Sequence, residues 1–364
     1  MTPRIGVLGA SGAVGRYATR ILARYGTLRL GGRTPVPAEI ATGPEGRVAI
    51  ERVVVDVTDT AAVATFAAGC AVVLDCTGAS FRDGGRVAEA VLASGARHVD
   101  AGEPPHGSTQ QEPPGGARSL TAAGMSPGLS GLLPRRVCAG FAPGATLTCW
   151  LAVRDRLSPT AATELLHSIT DGSQRALASW RDGAVQPRAL TRRDDVDWPL
   201  HDEPVTVSPV LTDEHIATAR ATGLRDGTWW TVLVSPQVRT ALDRAPSLPA
   251  PDAVEALCRA SALDVAGRAP WAVLACEVTG TVAGRPATRT AVLRGPGGAA
   301  LTGALAAAAV AELLDDAVPP GRHTAAAALD PGRALDRVCT AGGATLEVVD
   351  GPLTTVVDVE EFVL

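Results

Sequence analysis

The sequence predicts an α/β protein: a Rossmann-type doubly wound parallel sheet, with an inserted α/β substrate domain on a mixed or antiparallel sheet. Three observations predict it. Short apolar runs alternate with helical stripes through the first hundred or so residues, a glycine-rich turn joins the first run to the first stripe, and the later half holds β-rich runs around a hairpin. At 364 residues the chain has length for two domains.

Ile5 to Leu8 is short and apolar enough for a buried parallel strand, and it runs into Gly9-Ala10-Ser11-Gly12-Ala13-Val14-Gly15. A helix follows, with Val14, Ala18, Ile21 and Leu22 on one stripe and Arg16, Arg20 and Arg24 opposite. A tight strand-to-helix turn needs glycine where a Cβ would strike backbone or a pyrophosphate, and the helix N-terminus offers free N–H groups to that anion. Gly9, Ser11, Gly12, Ala13, Val14 and Gly15 are therefore the candidate phosphate loop, spaced G-x-x-G-x-x-G.

The second strand, Leu28 to Leu30, ends at Gly31-Gly32-Arg33-Thr34. An NAD site usually places an acid near here for the ribose 2′-hydroxyl, whereas a 2′-phosphate wants a guanidinium. Arg33 and Thr34 predict NADP. The third strand lies in Arg52 to Asp59; Asp56 and Val57 are placed near the adenine, while Thr58 or Asp59 serves equally well as a helix cap. The fourth strand, Ala71 to Leu74, leads into Asp75-Cys76-Thr77-Gly78, a helix from Arg86 to Leu92 closes at Gly95, and Arg97 to Asp100 is the fifth strand. Ligands of such sheets collect at the strands' carboxyl ends, so Cys76, Thr77, Gly78, Asp100, Glu103 and His106 are expected around the nicotinamide. A proton must reach the product of hydride transfer, which makes Glu103, His106 and Asp100 the candidate catalytic groups.

Gly124-Met125-Ser126-Pro127-Gly128 matches the G-x-S-x-G elbow of hydrolases, but the residue after that serine must donate an N–H and Pro127 has none. The segment reads instead as the turn leaving the nucleotide domain, with Ser126 and Pro127 close to the nicotinamide. Ala145 to Val153 is a strand, and Ser158-Pro159 opens a helix running to about Ile169. Helical pattern resumes over Arg175 to Trp180, and the mixed-charge segment Asp182 to Pro209 reads as a loop or lid. Thr228 to Val234 is β-rich, and Trp271 to Val282 joins Ala287 to Leu293 as a hairpin in an antiparallel sheet. Ala304 to Ala311 is a helical run. All six Trp follow residue 149 and read as core or interface packing.

Composition removes other classes. The net charge of -5 offers no field for nucleic acid or anionic lipid, and no apolar run suits a membrane span. The seven Cys are odd in number and unpaired in spacing, and the six His lack metal spacing, so neither disulfide nor metal is expected. The apolar start passes straight into a strand without a cleavage site, predicting a cytoplasmic protein. All 33 cations are Arg, so this chain has no lysine for Schiff-base catalysis. Arg181 and Arg225 are the candidates for a substrate carboxylate, and a homodimer is the prior for assembly.

GASGAVG, the GGR at strand two, VVLDCTGASFRDGGRVAEAVLASGARHVDAGE and AAGMSPGLSGLL fall in an order that resembles the saccharopine dehydrogenase-like NADP-binding family. The likeness continues through EVTGTVAGRPATRTAVL, LTGALAAAAVAELL and VPPGRH. It implies a nucleotide domain over residues 1–128, an inserted substrate and dimerisation domain over 129–299, a helix near 300–320 returning to the nucleotide domain, a segment over 321–364 completing the fold, and oxidation or reduction of a C–N bond. Where that family commonly has Gly-Pro-Phe after the fourth strand, Gly78 is followed here by Ala79-Ser80-Phe81. The expected function is an NADP-dependent oxidoreductase acting on an imine or amine carbon of a small amino-acid-like substrate. Reduction of an enoyl C=C bond and NADP sensing without turnover are the alternatives.

Overall fold

The computed structural model describes residues 2–41, 49–102 and 114–356, and the chain divides into two compact units, Met1–Leu129 with Ala299–Gly343 and Ser130–Gly298 with Ala344–Leu364. The first unit opens with β1 (Arg4–Leu8), α1 (Ala13–Leu22), β2 (Thr27–Gly32), β3 (Ile50–Val54), α2 (Thr60–Ala67), β4 (Val72–Asp75), α3 (Ser80–Ala93), β5 (Arg97–Asp100) and β6 (Arg118–Thr121). Local chemistry sets several boundaries. Asp59 accepts from the N–H groups of Ala61 and Ala62 and starts α2, so its capping role is the one realised. Gly95, at φ 84°, turns the chain after α3. Helix α3 begins six residues before the expected Arg86, because Gly78 and Ala79, both at positive φ, turn the chain sharply into Ser80.

The second unit follows with α4 (Leu129–Val137), β7 (Thr146–Arg154), α5 (Pro159–Thr170), β8 (Gln174–Ala176), β9 (Ser179–Arg181), β10 (Ala184–Gln186), β11 (Arg193–Val196), β12 (Val205–Thr212), α6 (Asp213–Ala221), β13 (Asp226–Leu233), α7 (Pro236–Arg244), α8 (Ala250–Asp264), β14 (Trp271–Val282) and β15 (Arg285–Gly295). The chain then supplies α9 (Gly298–Leu314), β16 (Gly321–Thr324), α10 (Ala325–Ala328) and α11 (Pro331–Gly342) to the first unit, and β17 (Thr345–Asp350) to the second.

Seven strands in the order β16-β6-β5-β4-β1-β2-β3, every pair parallel, make the first unit's sheet. The order reverses between β1 and β4, the switch point where such sheets bind ligands. Phe66, Val63, Val87 and Val91 from α2 and α3 bury one face against Leu8 and Val73. Helix α9 is apolar nearly all round and buried along almost its whole length, as an element inside a core must be. A Cβ at Gly303 would meet the Val14 carbonyl oxygen at 2.9 Å, so glycine there lets α9 lie against the backbone of α1. Glu312, 1% exposed, ends that buried stretch in ion pairs with Arg333 (2.6 Å) and Arg337 (2.9 Å).

The second unit's ten strands form a mixed sheet, in which β7 runs parallel to β13 and antiparallel to β14. The parallel pair makes the sheet mixed, one of the two arrangements the sequence leads one to expect. Trp198, Trp230, Val207, Val232, Val273 and Val292 fill its core, and Trp180 and Trp229 are buried as well. Helices α5, α7 and α8 pack through Ala162, Ala241, Leu257 and Ala260.

Two sequence expectations fail here. Arg175 to Trp180 is not helical but holds β8 and β9, because β8 pairs with β12, β9 pairs with β10 and β13, and Leu177 between them sits at φ 62°. The segment Asp182 to Pro209 is not a lid but carries β10, β11 and most of β12. Its charges belong to exposed strands: Asp194 on β11 accepts from the Thr206 hydroxyl at 2.7 Å and pairs with Arg192 and Arg239. Pro209 interrupts no ladder, since it sits where β12 changes partner from β13 to β8 and its carbonyl accepts from Leu177.

Candidate functional site

Because all seven strands of the first sheet run one way, the turns after β1, β2, β3, β4, β5 and β6 all open at one edge. The loop after β1 is shaped by three glycines with three different reasons. Gly9 sits at φ +72°, and a Cβ there would stand 2.6 Å from the Cys76 carbonyl oxygen, so it permits the loops after β1 and β4 to touch. A Cβ at Gly15 would collide with the Gly9 carbonyl oxygen, so that glycine sets how closely α1 approaches the strand. Gly12 is the exposed N-cap of α1 with no side chain to satisfy the first turn, and its N–H donates to the Gly9 carbonyl at 2.9 Å. The outer face of the loop is therefore backbone, with the N–H groups of the first helical turn leading out of it. The Arg16 side chain, assigned by the sequence only to the wet face of α1, donates from Nε to the Ser11 carbonyl at 2.8 Å and braces the loop.

Arg33 and Thr34 follow β2 and are exposed. Asp56 begins the turn after β3, where the Thr58 N–H and hydroxyl donate to its carboxylate. Those bonds, with the Arg33 charge as a smaller contribution, hold Asp56 below the usual carboxylate range. At the end of β4, the buried Asp75 accepts from the Thr77 N–H (2.8 Å) and hydroxyl (2.7 Å), which shapes the Cys76-Thr77-Gly78 turn. Burial raises the Asp75 pKa, and desolvation with the neighbouring Asp75 and Asp100 charges holds the Cys76 thiol well above its ordinary value. Cys76 is a neutral thiol at neutral pH.

Asp100, 3% exposed at the end of β5, accepts from the Ser80 hydroxyl (2.9 Å) and the Gly102 N–H (2.8 Å). It ties the first turn of α3 to the chain leaving β5. The segment continues as a tight bracket: Ala122 donates to the Gly102 carbonyl, Ala123 to Asp100, and Leu129 to Gly124. Gly128 at φ +127° fits where a Cβ would meet the Ala122 oxygen at 2.7 Å. The peptide between Ser126 and Pro127 is cis, and Thr302 of the returning helix α9 accepts the Met125 N–H at 3.1 Å.

Apo saccharopine dehydrogenase (L-Glu forming) from Saccharomyces cerevisiae superposes with a TM-score of 0.66 over 96% of this chain and 100% of its own, at 15% sequence identity. The fold is saccharopine dehydrogenase-like. Uronate dehydrogenase from Agrobacterium tumefaciens aligns over 28% of this chain and 41% of its own at 28% identity, with a TM-score of 0.24, too low to argue from. A nucleoside-diphosphate-sugar epimerase from Pseudomonas aeruginosa aligns over 28% of this chain and 34% of its own at 21% identity, with a TM-score of 0.23. No family profile matches the sequence, and no curated protein matches it.

Within this saccharopine dehydrogenase-like fold, the residues of the glycine loop after β1, Arg33, Thr34, Asp56, Val57, Cys76, Thr77, Gly78, Ser126 and Pro127 share one edge of one sheet. Glu103 and His106 lie outside the described residues. His98 on β5 is buried between strands: its Nδ1 lies 3.0 Å from the Ser119 hydroxyl, and burial with the Arg322 charge lowers its pKa to about 3. Three contributors went unread in the sequence: Ser80, Arg16 and Thr302. Ser80 and Arg16 had a signal, since each falls in the first turn of a helix that leaves a glycine-bearing loop. Thr302 had none, because it reaches Met125 across 177 residues.

Proposed function

We propose that the chain is an NADP-dependent oxidoreductase moving a hydride between C4 of the nicotinamide and the imine or amine carbon of a small amino-acid-like substrate. The observation that carries this is the loop after β1, where Gly9 and Gly15 are demanded by packing and Gly12 leaves an exposed, side-chain-free helix start. That is what a pyrophosphate requires. The N–H groups of Ala13, Val14 and Gly15 hold it, with Ser11 at the rim and Gly12 leaving room for its approach. Arg33 and Thr34 take the 2′-phosphate; among the described residues no salt bridge occupies the Arg33 guanidinium. Asp56 and Val57 flank the adenine, and the backbones of Cys76, Thr77, Gly78, Ser126 and Pro127 flank the ring.

When bound, the cofactor supplies a carbon that donates or accepts hydride. The chain's own groups do the rest. Glu103, His106 or Asp100 delivers the proton to the substrate nitrogen, Asp100 being held by Ser80 and Gly102 at the end of β5. In this reading the second unit is the substrate and dimerisation domain.

The test uses NADPH deuterated at C4, in both stereochemical forms, with imines formed from small amines and 2-oxo acids. Deuterium on the carbon bearing nitrogen is expected. Deuterium found only at the β-carbon of enoyl substrates, or NADPH binding with no transfer to any acceptor, would overturn the assignment.

A further inference from the structure

The spacing of the seven Cys announces no pair, yet two of them, 127 residues apart, meet on adjacent strands of the second unit's sheet. Cys149 of β7 lies directly opposite Cys276 of β14, in an antiparallel register that runs unbroken from Trp271 opposite Arg154 to Thr279 opposite Thr146. Their Sγ atoms are 3.0 Å apart, well inside the about 3.5–4.0 Å of ordinary nonbonded contact. Residues that face each other across antiparallel strands have Cα atoms about 4.5–5.5 Å apart, within the span of about 4.4–6.8 Å that a disulfide bridges. The two sulfurs therefore need to close by only about 1 Å to bond, with the strands left in place. Side chains alternate along a strand, so the pair lies on the face opposite Ala152 and Ala275, which belong to the tryptophan-bearing core.

Burial decides when such a bond can form. Cys149 and Cys276 are 6% and 2% exposed. Desolvation, with Cys276 beside it, holds the Cys149 thiol well above its ordinary pKa, and burial pushes Cys138, which follows α4, up to about 12. Thiol–disulfide exchange needs a thiolate, so the folded pair reacts slowly at neutral pH. Closure belongs to the folding chain, or to moments when β14 parts from β7.

We propose that Cys149 and Cys276 form a reversible cross-strand disulfide that staples β7 to β14. The oxidant is a small-molecule disulfide. The thiolate of one cysteine attacks it and releases one small thiol; the thiolate of the other then attacks the mixed disulfide, releasing the second small thiol and leaving the Sγ–Sγ bond. Each cysteine gives up one proton and one electron, and the small disulfide is reduced to two thiols. Joining residues 127 positions apart restricts the unfolded chain, so the oxidised second unit is the more stable form. Both cysteines belong to that unit, and the pair stands or falls apart from the dinucleotide reading.

Refolding the full chain from urea in a mixture of oxidised and reduced glutathione, against refolding in dithiothreitol, tests it. The free-thiol count should fall from seven to five, peptide mapping should join Cys149 to Cys276, and dithiothreitol should restore all seven thiols. All six Trp lie in the second unit, so tryptophan fluorescence reports its unfolding alone. The oxidised chain should unfold at a urea midpoint higher by about 1 M or more. Cys138→Ser should keep both the bond and the shift, and Cys276→Ser should lose both. Seven free thiols after oxidative refolding, a bond from either cysteine to Cys138 or any other partner, or a midpoint that the bond leaves unchanged overturns the proposal.

Discussion

The two units place their chemistry by different means. In the first, every strand points the same way, so each apolar run of four to six residues is followed at once by a turn at the ligand edge, and short sequence motifs suffice to find the candidate groups. In the second, Arg154 and Trp271 come opposite each other only because β7 and β14 pair across more than a hundred residues of chain, and the β14–β15 hairpin adds Arg294. A site of the first kind can be read from neighbours in sequence. A site of the second kind needs the fold.

If the first site is local in this sense, one local change should abolish it. Gly15→Val puts a branched side chain where even a Cβ would strike the Gly9 carbonyl oxygen. The expected outcome is loss of NADP affinity by about 100-fold or more, well over 2 kcal/mol, measured by calorimetry. Retained affinity would mean that the loop has a geometry other than the one described.

The buried acids of the two units differ in the same direction. Glu312 is clamped at 2.6 and 2.9 Å by two arginines, whereas Asp264 sits 3.6 and 3.9 Å from its own pair. Removing the charge of a closely paired buried acid costs about 3–5 kcal/mol, and looser pairs cost less. Glu312→Gln should therefore lower stability by about 3 kcal/mol and Asp264→Asn by about 1 kcal/mol in denaturant melts. Equal effects would remove the distinction.

Acid acts on both units through one buried histidine in each. His98 and His215 are held neutral by burial, with pKa values lowered from 6.5 to about 3. The unfolded chain binds these protons first as pH falls, so the stability is intact above pH 6.5 and is lost progressively between 6.5 and about 3. His98→Gln should flatten the part of that decline belonging to the first unit, read as melting temperature against pH. An unchanged slope would show that His98 is not held neutral.

Legibility in the sequence followed the same divide. The strands of the parallel sheet from β1 to β5 were legible because apolar runs, glycine turns and caps such as Asp59 are all local signals. The Ser158 cap and its following Pro159 were legible for the same reason. Residues 175–209 misled because their short strands carry the charge of an exposed edge and exist only by pairing with β12 and β13. Asp100 reads in the sequence as a cleft-lining candidate acid, and the structure buries it among Ser80, Gly84 and Gly102, a placement fixed by packing of α3 that no spacing announces.

Calorimetric titration of NADP and NAD into the native chain and into Arg33→Asp decides whether the redox reading holds. A guanidinium that clasps the 2′-phosphate predicts tighter binding of NADP than NAD by about tenfold or more, with that preference lost or inverted in the variant. Heat from neither nucleotide, or an affinity ratio that Arg33→Asp leaves unchanged, would contradict it.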